Sequence, residues 1–163
     1  MKQYLIPILL LNFISCDNNK VEEHKVLSTT NNNSTIIKIS NMTHNEISEI
    51  YTNYEEAFKT AKQDNKALLI LFSTEYCRWC TKLKETTLTN PNIIKRLNQE
   101  FIVLFLDRDI DTYPSKYKVK AVPAIYFTDK NEEIFTSMVG YHKDPQDFIK
   151  WLSTSKLNWH NKH

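Results

Sequence analysis

Glycine is almost absent from this chain: Gly140 is the single glycine in 163 residues. Loops that cradle nucleotide phosphates need several glycines, because their backbone must approach the ligand closely. The sequence therefore excludes the glycine-rich loops of nucleotide-binding proteins. Basic clusters are absent as well, and 21 Lys and Arg against 19 Asp and Glu give a formal net charge of +2. Nothing in this balance indicates a nucleic-acid partner.

Cysteine is scarce, with only Cys16, Cys77 and Cys80. A structural zinc site needs four Cys or His ligands, and the five histidines show no paired spacing. A c-type haem attachment requires His directly after the second cysteine, whereas this chain has Thr81. We therefore predict no metal or cofactor. Inert packing of two reduced cysteines is the remaining alternative, and Arg78 between them argues against a fully apolar pocket.

The segment Cys77-Arg78-Trp79-Cys80 follows the apolar run 67–72 and leads into a predicted helix. A helix N-terminus favours negative charge on the first sulfur, which makes Cys77 the candidate attacking thiolate and Cys80 the resolving thiol. A bridge across so short a loop constrains the unfolded chain little, so a purely structural disulfide is disfavoured. We predict redox chemistry here, with Arg78 favouring the thiolate and Trp79 contacting partners.

The N-terminus has the pattern of an export signal: Lys2, eleven residues 4–14 that are mainly apolar, then Cys16 and the polar segment 17–20. Eleven residues are too few for a transmembrane helix, which needs about 20. We predict a signal peptide over 1–15 and lipidation of Cys16, because a cysteine just past the apolar region resembles the bacterial lipoprotein signal. The protein would then be exported, periplasmic and anchored to a membrane by its lipid. Simple secretion with cleavage nearby is the alternative.

The remaining chain divides into a flexible tether over 16–46, a folded domain over 47–154 and a tail over 155–163. The tether is rich in Asn, Ser, Thr and Lys, with one possible strand at 36–39. In the domain, apolar runs and periodicity predict strands at 67–73, 101–106, 124–128 and 133–139, and helices near 54–64, 81–88, 93–98, 113–119 and 145–152. The crossover between the first two strands is long enough to make them parallel neighbours. The pattern indicates an α/β fold.

The order of these elements, with the C-x-x-C at a helix start and Val122-Pro123 before a hairpin and a closing helix, resembles the thioredoxin family over about residues 50–154. The likeness is to periplasmic thioredoxin-like domains, including the C-terminal domain of the transmembrane carrier that delivers electrons to the periplasm. It implies a thioredoxin-like fold with a central mixed β-sheet flanked by helices, and a thiol-disulfide oxidoreductase. Within it, Pro123 matches the family's cis-proline, and Val122 offers its backbone to a partner chain.

Two positions depart from the family. Many relatives have a buried Asp where this chain has Leu71, and the periplasmic relatives often have Glu where it has Lys84. Water or Glu75 is then left to assist proton transfer. We expect a monomer that acts as a reductase on proteins bearing disulfides or thiols, served by an unidentified electron donor or acceptor. The alternative is a non-catalytic thioredoxin-fold lipoprotein that binds a soft metal such as Cu(I), or a protein partner.

Overall fold

The computed structural model describes residues 27–31, 34–38 and 46–161. The predicted signal peptide and Cys16 lie outside these residues. The described elements are, in chain order, β1 (Leu27–Asn31), β2 (Ser34–Lys38), β3 (Glu49–Tyr51), α1 (Tyr54–Asp64), β4 (Ala67–Ser73), α2 (Arg78–Lys82) continued by a π-helix (Leu83–Thr87), α3 (Pro91–Glu100), β5 (Phe101–Asp107), β6 (Ala124–Thr128), β7 (Ile134–Val139) and α4 (Pro145–Asn161).

The described strands form one mixed sheet in the order β1-β2-β3-β5-β4-β6-β7. Strand β4 is central, parallel to β5 and antiparallel to β6. Every residue of β4 is buried, which explains why its sequence is a continuous apolar run without alternation. The β4–β5 pair is the predicted parallel crossover, and β6–β7 is the predicted antiparallel hairpin. The α/β thioredoxin-like fold is confirmed.

Capping residues fix where the helices begin. Asn53 precedes α1 and accepts the backbone N–H of Glu56 through its side chain at 3.0 Å. Asn90 caps α3 in the same way, and Pro91 occupies the first turn, where its missing N–H is tolerated. The Asn90-Pro91 pair therefore separates the π-helix from α3, between the helices predicted at 81–88 and 93–98.

Two apolar layers cover the sheet. Helix α1 and residues 113–122 pack on one face, against the β4 side chains Leu68, Ile70 and Phe72. The π-helix, α3 and α4 pack on the other face, against Leu69 and Leu71. Alternate residues of β4 serve the two layers because successive side chains of a strand point to opposite faces.

Three segments differ from the sequence-based expectations. The predicted tether contains β1 and β2, which form an antiparallel hairpin and extend the sheet beyond the short strand β3. Residues 113–119 form no helix; their aromatic rings pack on Phe72 instead. Helix α4 continues to Asn161, past the predicted end at 152. Its polar residues Ser153 and Thr154 stay helical by donating hydroxyl hydrogen bonds to carbonyls four residues earlier.

Candidate active site

The sheet register brings four separate segments to one end of the molecule. Ser73, the last residue of β4, pairs with Asp107 at the end of β5. Ala124, the first residue of β6, pairs with Phe72 of β4 and with Val139 at the end of β7. The turn before α2, the residues before β6 and those after β7 therefore meet at this edge, which we call the carboxyl edge of β4.

Cys77 and Cys80 form a disulfide at the carboxyl edge of β4. Cys77 is the N-cap of α2, and its Sγ accepts the backbone N–H of Cys80 at 3.1 Å. Cys80 is buried, with 2% of its surface exposed, whereas Cys77 is partly exposed. The N–H donor and the helix N-terminus stabilise negative charge on the Cys77 sulfur. The more exposed sulfur is thus also the one better placed to react as a thiolate.

Val122 and Pro123 lie at the same edge, joined by a cis peptide bond. Pro123 is buried, and its carbonyl accepts the N–H of Gly140 at 2.8 Å. Gly140 has φ of 92°, a conformation that favours glycine and that turns the chain after β7. Across residues 46–161, the backbone hydrogen bonds outside helices and strands do not include Val122. Its N–H and C=O therefore fit the predicted contact with an extended partner chain, which stays a prediction.

Arg78 and Trp79 are both exposed beside the disulfide, and their roles in tuning the thiolate and contacting partners stay predictions. The indole of Trp79 stacks on the ring of Tyr141, with centroids 5.7 Å apart and planes at 16°. Sequence reasoning did not identify Tyr141 or Thr86 as site residues. The Tyr141 hydroxyl lies 3.1 Å from Thr86 Oγ1, a contact across 55 residues of chain that no local pattern signals.

Exposed apolar side chains lie at the edge of the sheet that carries the disulfide. Among the described residues, the exposed large hydrophobic side chains are Tyr76, Trp79, Ile110 and Val139. Tyr76 precedes Cys77, Ile110 follows β5, and Val139 ends β7, so all of them lie at the carboxyl edge of β4. An apolar rim of this kind is typical of a surface that contacts other proteins.

Among the described residues, no buried carboxylate at the carboxyl edge of β4 takes the place of the acids missing from the sequence. Leu71 is fully buried in the apolar layer beneath α3 and α4. The Lys84 ammonium lies 5.4 Å from the centroid of the Phe105 ring, and Glu75 is exposed. Within the described residues Asp129 is the buried carboxylate, and it lies in the turn after β6, at the opposite end of the sheet. The described part of the chain therefore places no buried acid where it could move the proton of Cys80.

A buried tyrosine network holds the loop that leads to Val122. The hydroxyls of Tyr54 and Tyr117 lie 3.2 Å apart, and Tyr54 also donates to Glu132 Oε2 at 3.0 Å. Lys116 donates to the same carboxylate at 2.8 Å, which lowers the pKa of Glu132. Burial raises the pKa of Tyr117 to about 12 and raises that of Tyr54 further. Both tyrosines therefore stay neutral and act as hydrogen-bonding groups at ordinary pH.

In residues 27–31, 34–38 and 46–161, His, Cys, Asp and Glu side chains do not come together in groups of three or more suited to a metal ion. The helices described there are too short or too polar to cross a membrane.

The fold and the disulfide at the start of α2 define a thiol-disulfide oxidoreductase. Residues 54–156 match the family described as a thioredoxin-like domain. The chain belongs to this family, since the match covers more than half of its length.

Three known proteins illustrate the likeness. Spermatogenesis-associated protein 20 of Mus musculus is 34% identical over 55 residues, which are 34% of this chain and 7% of that protein. Thioredoxin H5 of Oryza sativa subsp. japonica is 27% identical over 112 residues, covering 64% of this chain and 76% of the relative. The solved thioredoxin of Thermus thermophilus has a TM-score of 0.55 at 21% identity, over 63% of this chain and 83% of that one. The chain thus spans only a small part of the mouse relative, and the structural likeness shows the fold.

Proposed function

We propose that the protein is an exported reductase of protein disulfides. The Cys77 thiolate attacks a disulfide of the partner, so a bond forms between Cys77 and one partner sulfur while the other sulfur leaves as a thiolate and takes a proton. Cys80 then attacks the Cys77 sulfur and releases the second partner thiol. Two electrons pass to the partner, and the Cys77–Cys80 disulfide that the structure holds is the product. A dithiol donor must reduce it again before the next cycle.

The observation that carries this proposal is the unequal exposure of the two sulfurs. Cys77 is partly exposed at the N-cap of α2, and Cys80 is only 2% exposed beneath it. A partner disulfide reaches Cys77 first, and Cys80 is positioned to resolve the mixed disulfide from the protein side. The apolar rim at the carboxyl edge of β4 supports a protein as the substrate.

The reducing direction rests on the surroundings of the site and on the weakness of the charges beside the disulfide. Arg78 and the N–H of Cys80 favour the thiolate of Cys77, and stabilising the thiolate raises the potential of the pair, which by itself favours an oxidant. Glu75 opposes this effect, and both charged groups are exposed and screened by salt. Between 46 and 161 the described elements follow one another without an inserted substrate-holding domain. These features fit a domain that delivers electrons.

Export and lipid anchoring are the second part of the proposal. They are supported by the apolar segment 4–14, by Ser15 before the cysteine, and by the position of Cys16. With Cys16 lipidated, Cys77 and Cys80 are the remaining thiols of the chain. Expression in a bacterium with radiolabelled fatty acid tests this part: label should follow the wild-type chain, and a Cys16→Ser chain that is labelled equally would contradict it.

The direction is tested by equilibrating the purified protein with glutathione buffers and measuring the oxidised fraction. We expect a potential nearer to the thioredoxin value of about −270 mV than to the value of about −120 mV of a strong oxidant. A potential near the oxidant value would overturn the reductase. Reduction of insulin without added metal distinguishes the enzyme from a binding protein, which would leave insulin oxidised.

The order of attack is tested with matched cysteine variants. A Cys80→Ala chain retains the attacking thiol and lacks the resolving one, so it should accumulate mixed disulfides with partner proteins. A Cys77→Ala chain is the control and should trap few, because Cys80 is buried. Equal trapping by both variants, or preferential trapping through Cys80, would contradict the order.

A further inference from the structure

Four side chains form a continuous row of rings and cations beside the disulfide. The Arg78 guanidinium lies 5.0 Å from the centroid of the Trp79 ring. Trp79 stacks on Tyr141, and the Lys82 ammonium lies 5.9 Å from the centroid of the Tyr141 ring. We call Arg78, Trp79, Tyr141 and Lys82 the cation-aromatic row. It joins the C-x-x-C segment to the residue after Gly140.

Hydrogen bonds of Thr86 and Gly140 hold the cation-aromatic row in position. Thr86 Oγ1 lies 3.1 Å from the Tyr141 hydroxyl and donates to the carbonyl of Lys82 at 2.7 Å. Gly140, directly before Tyr141, donates its N–H to the carbonyl of Pro123. Tyr141 is therefore fixed both to the helical segment after Cys80 and to the edge where Val122 and Pro123 lie. A surface that is already ordered loses little conformational entropy when a partner binds.

The charges of the row are available to a partner. Both cations belong to exposed residues, and in the described part of the chain neither Arg78 nor Lys82 forms an ion pair. The acidic neighbours along the chain, Glu75 and Glu85, are exposed and form no ion pair with the row there. The cation-aromatic row thus presents two positive charges, each in contact with an aromatic ring, next to Cys77.

From this arrangement we infer that the cation-aromatic row is a specificity-determining surface that selects disulfide substrates with an acidic side chain close to the reacting cysteine. The carboxylate of an extended partner segment is attracted by both cations of the row, Arg78 and Lys82, while the apolar part of that segment contacts Trp79 and Tyr141. This inference rests on the proposed function, since it names the substrate class of the same site.

The test uses disulfide peptides that differ only at the residue beside one cysteine, which is Glu, Gln or Lys. The fully reduced full-length protein is mixed with each peptide, and the second-order rate constant of peptide reduction is measured. Exposed ion pairs of this kind contribute enough for the Glu peptide to react roughly two- to fivefold faster than the Gln peptide, with the Lys peptide slowest. The preference should shrink as salt rises toward about 1 M.

Variants locate the effect. Lys82→Gln should lower the ratio of the Glu to the Gln rate toward one; the ratio is the readout because any change in thiol reactivity affects both peptides alike. Tyr141→Ala should lower the same ratio by removing the ring beneath Lys82. Lys59→Gln is the matched control, because Lys59 is exposed on α1, on the other face of the sheet, and the variant should leave the ratio unchanged.

Equal rates for the three peptides, or an unchanged ratio in Lys82→Gln, would overturn the inference while leaving the proposed function intact. Failure to reduce any peptide would overturn both.

Discussion

The tyrosine network behind the Val122 loop yields a prediction whose size and pH dependence both follow from its geometry. The change Tyr54→Phe removes a hydroxyl that lies 3.2 Å from Tyr117 Oη and 3.0 Å from Glu132 Oε2. The ring remains, so its contact with Phe58 at 4.7 Å is retained. The variant therefore isolates two hydrogen bonds.

Each bond contributes a different amount to the free energy of unfolding. The bond between neutral hydroxyls contributes about 0.5 to 1.5 kcal/mol, and one to a carboxylate about 1.5 to 3 kcal/mol. The second value falls at the low end here, because Glu132 is partly exposed and keeps its bond to Lys116. We expect Tyr54→Phe to lower the free energy of unfolding by about 2.5 kcal/mol near neutral pH, the sum of about 1 kcal/mol for the neutral bond and about 1.5 kcal/mol for the bond to the carboxylate.

Acid should reduce this loss. The folded pKa of Glu132 is lowered from its ordinary value of 4.5, first by the Lys116 hydrogen bond and also by that of Tyr54. The stabilisation from this carboxylate is therefore full above 4.5 and disappears as pH falls through the folded pKa. The stability difference between wild type and Tyr54→Phe should then fall to about 1 kcal/mol, the share of the neutral bond.

The assay is urea unfolding, followed by circular dichroism, of the oxidised wild type and variant from about pH 7 to about pH 3, with equal m-values as the check on comparability. Tyr113→Phe is the matched control, because its hydroxyl donates to the neutral carbonyl of Arg108 at 2.9 Å. Tyr113→Phe should lower the free energy of unfolding by about 1 kcal/mol, and this decrease should not change with pH. A Tyr54→Phe loss below about 0.5 kcal/mol, or one independent of pH, would refute the reasoning.

Two further substitutions test the packing of α3 and the hydrogen bonds that hold the segment before β3. Leu97→Ala removes a fully buried side chain of α3 and should lower the free energy of unfolding by about 2 to 5 kcal/mol in urea melts, whereas the exposed Lys95→Ala should change it by less than about 0.5 kcal/mol. Asn98→Ala should free the segment before β3, because the Asn98 side chain accepts the Ser48 N–H at 2.9 Å and donates to the Glu46 carbonyl at 3.0 Å. Hydrogen exchange should show faster exchange of the Ser48 amide, and unchanged exchange there would contradict this contact.

Local patterns in the sequence determined most of the central domain. The apolar runs of β4 and β5 predict buried strands because both faces of the sheet are covered, and the structure confirms them. The break between the helices predicted at 81–88 and 93–98, and that between the strands predicted at 124–128 and 133–139, are confirmed. Asn90-Pro91 and the turn after β6 lie at these breaks, and capping and turn residues act within a few positions of chain. The helix predicted at 113–119 is wrong. Tyr113 and Tyr117 of this segment pack on Phe72, which lies about forty residues earlier in the chain, so a local sequence pattern does not reveal the contact.

The site divides in the same way. The spacing Cys77-x-x-Cys80 predicted a redox pair only together with its context in the sequence: the apolar run before it, the predicted helix after it, and the lack of further ligands for zinc or haem. The sequence also showed that Leu71 and Lys84 replace the expected acids. Only the tertiary structure decided that no other buried carboxylate in the described residues replaces them, and that Tyr141 stacks on Trp79. The physical reason is the register of the sheet, which brings the end of β7 to the edge that carries the disulfide. The two segments are more than fifty residues apart in the chain, so a short-range sequence pattern does not predict that they meet.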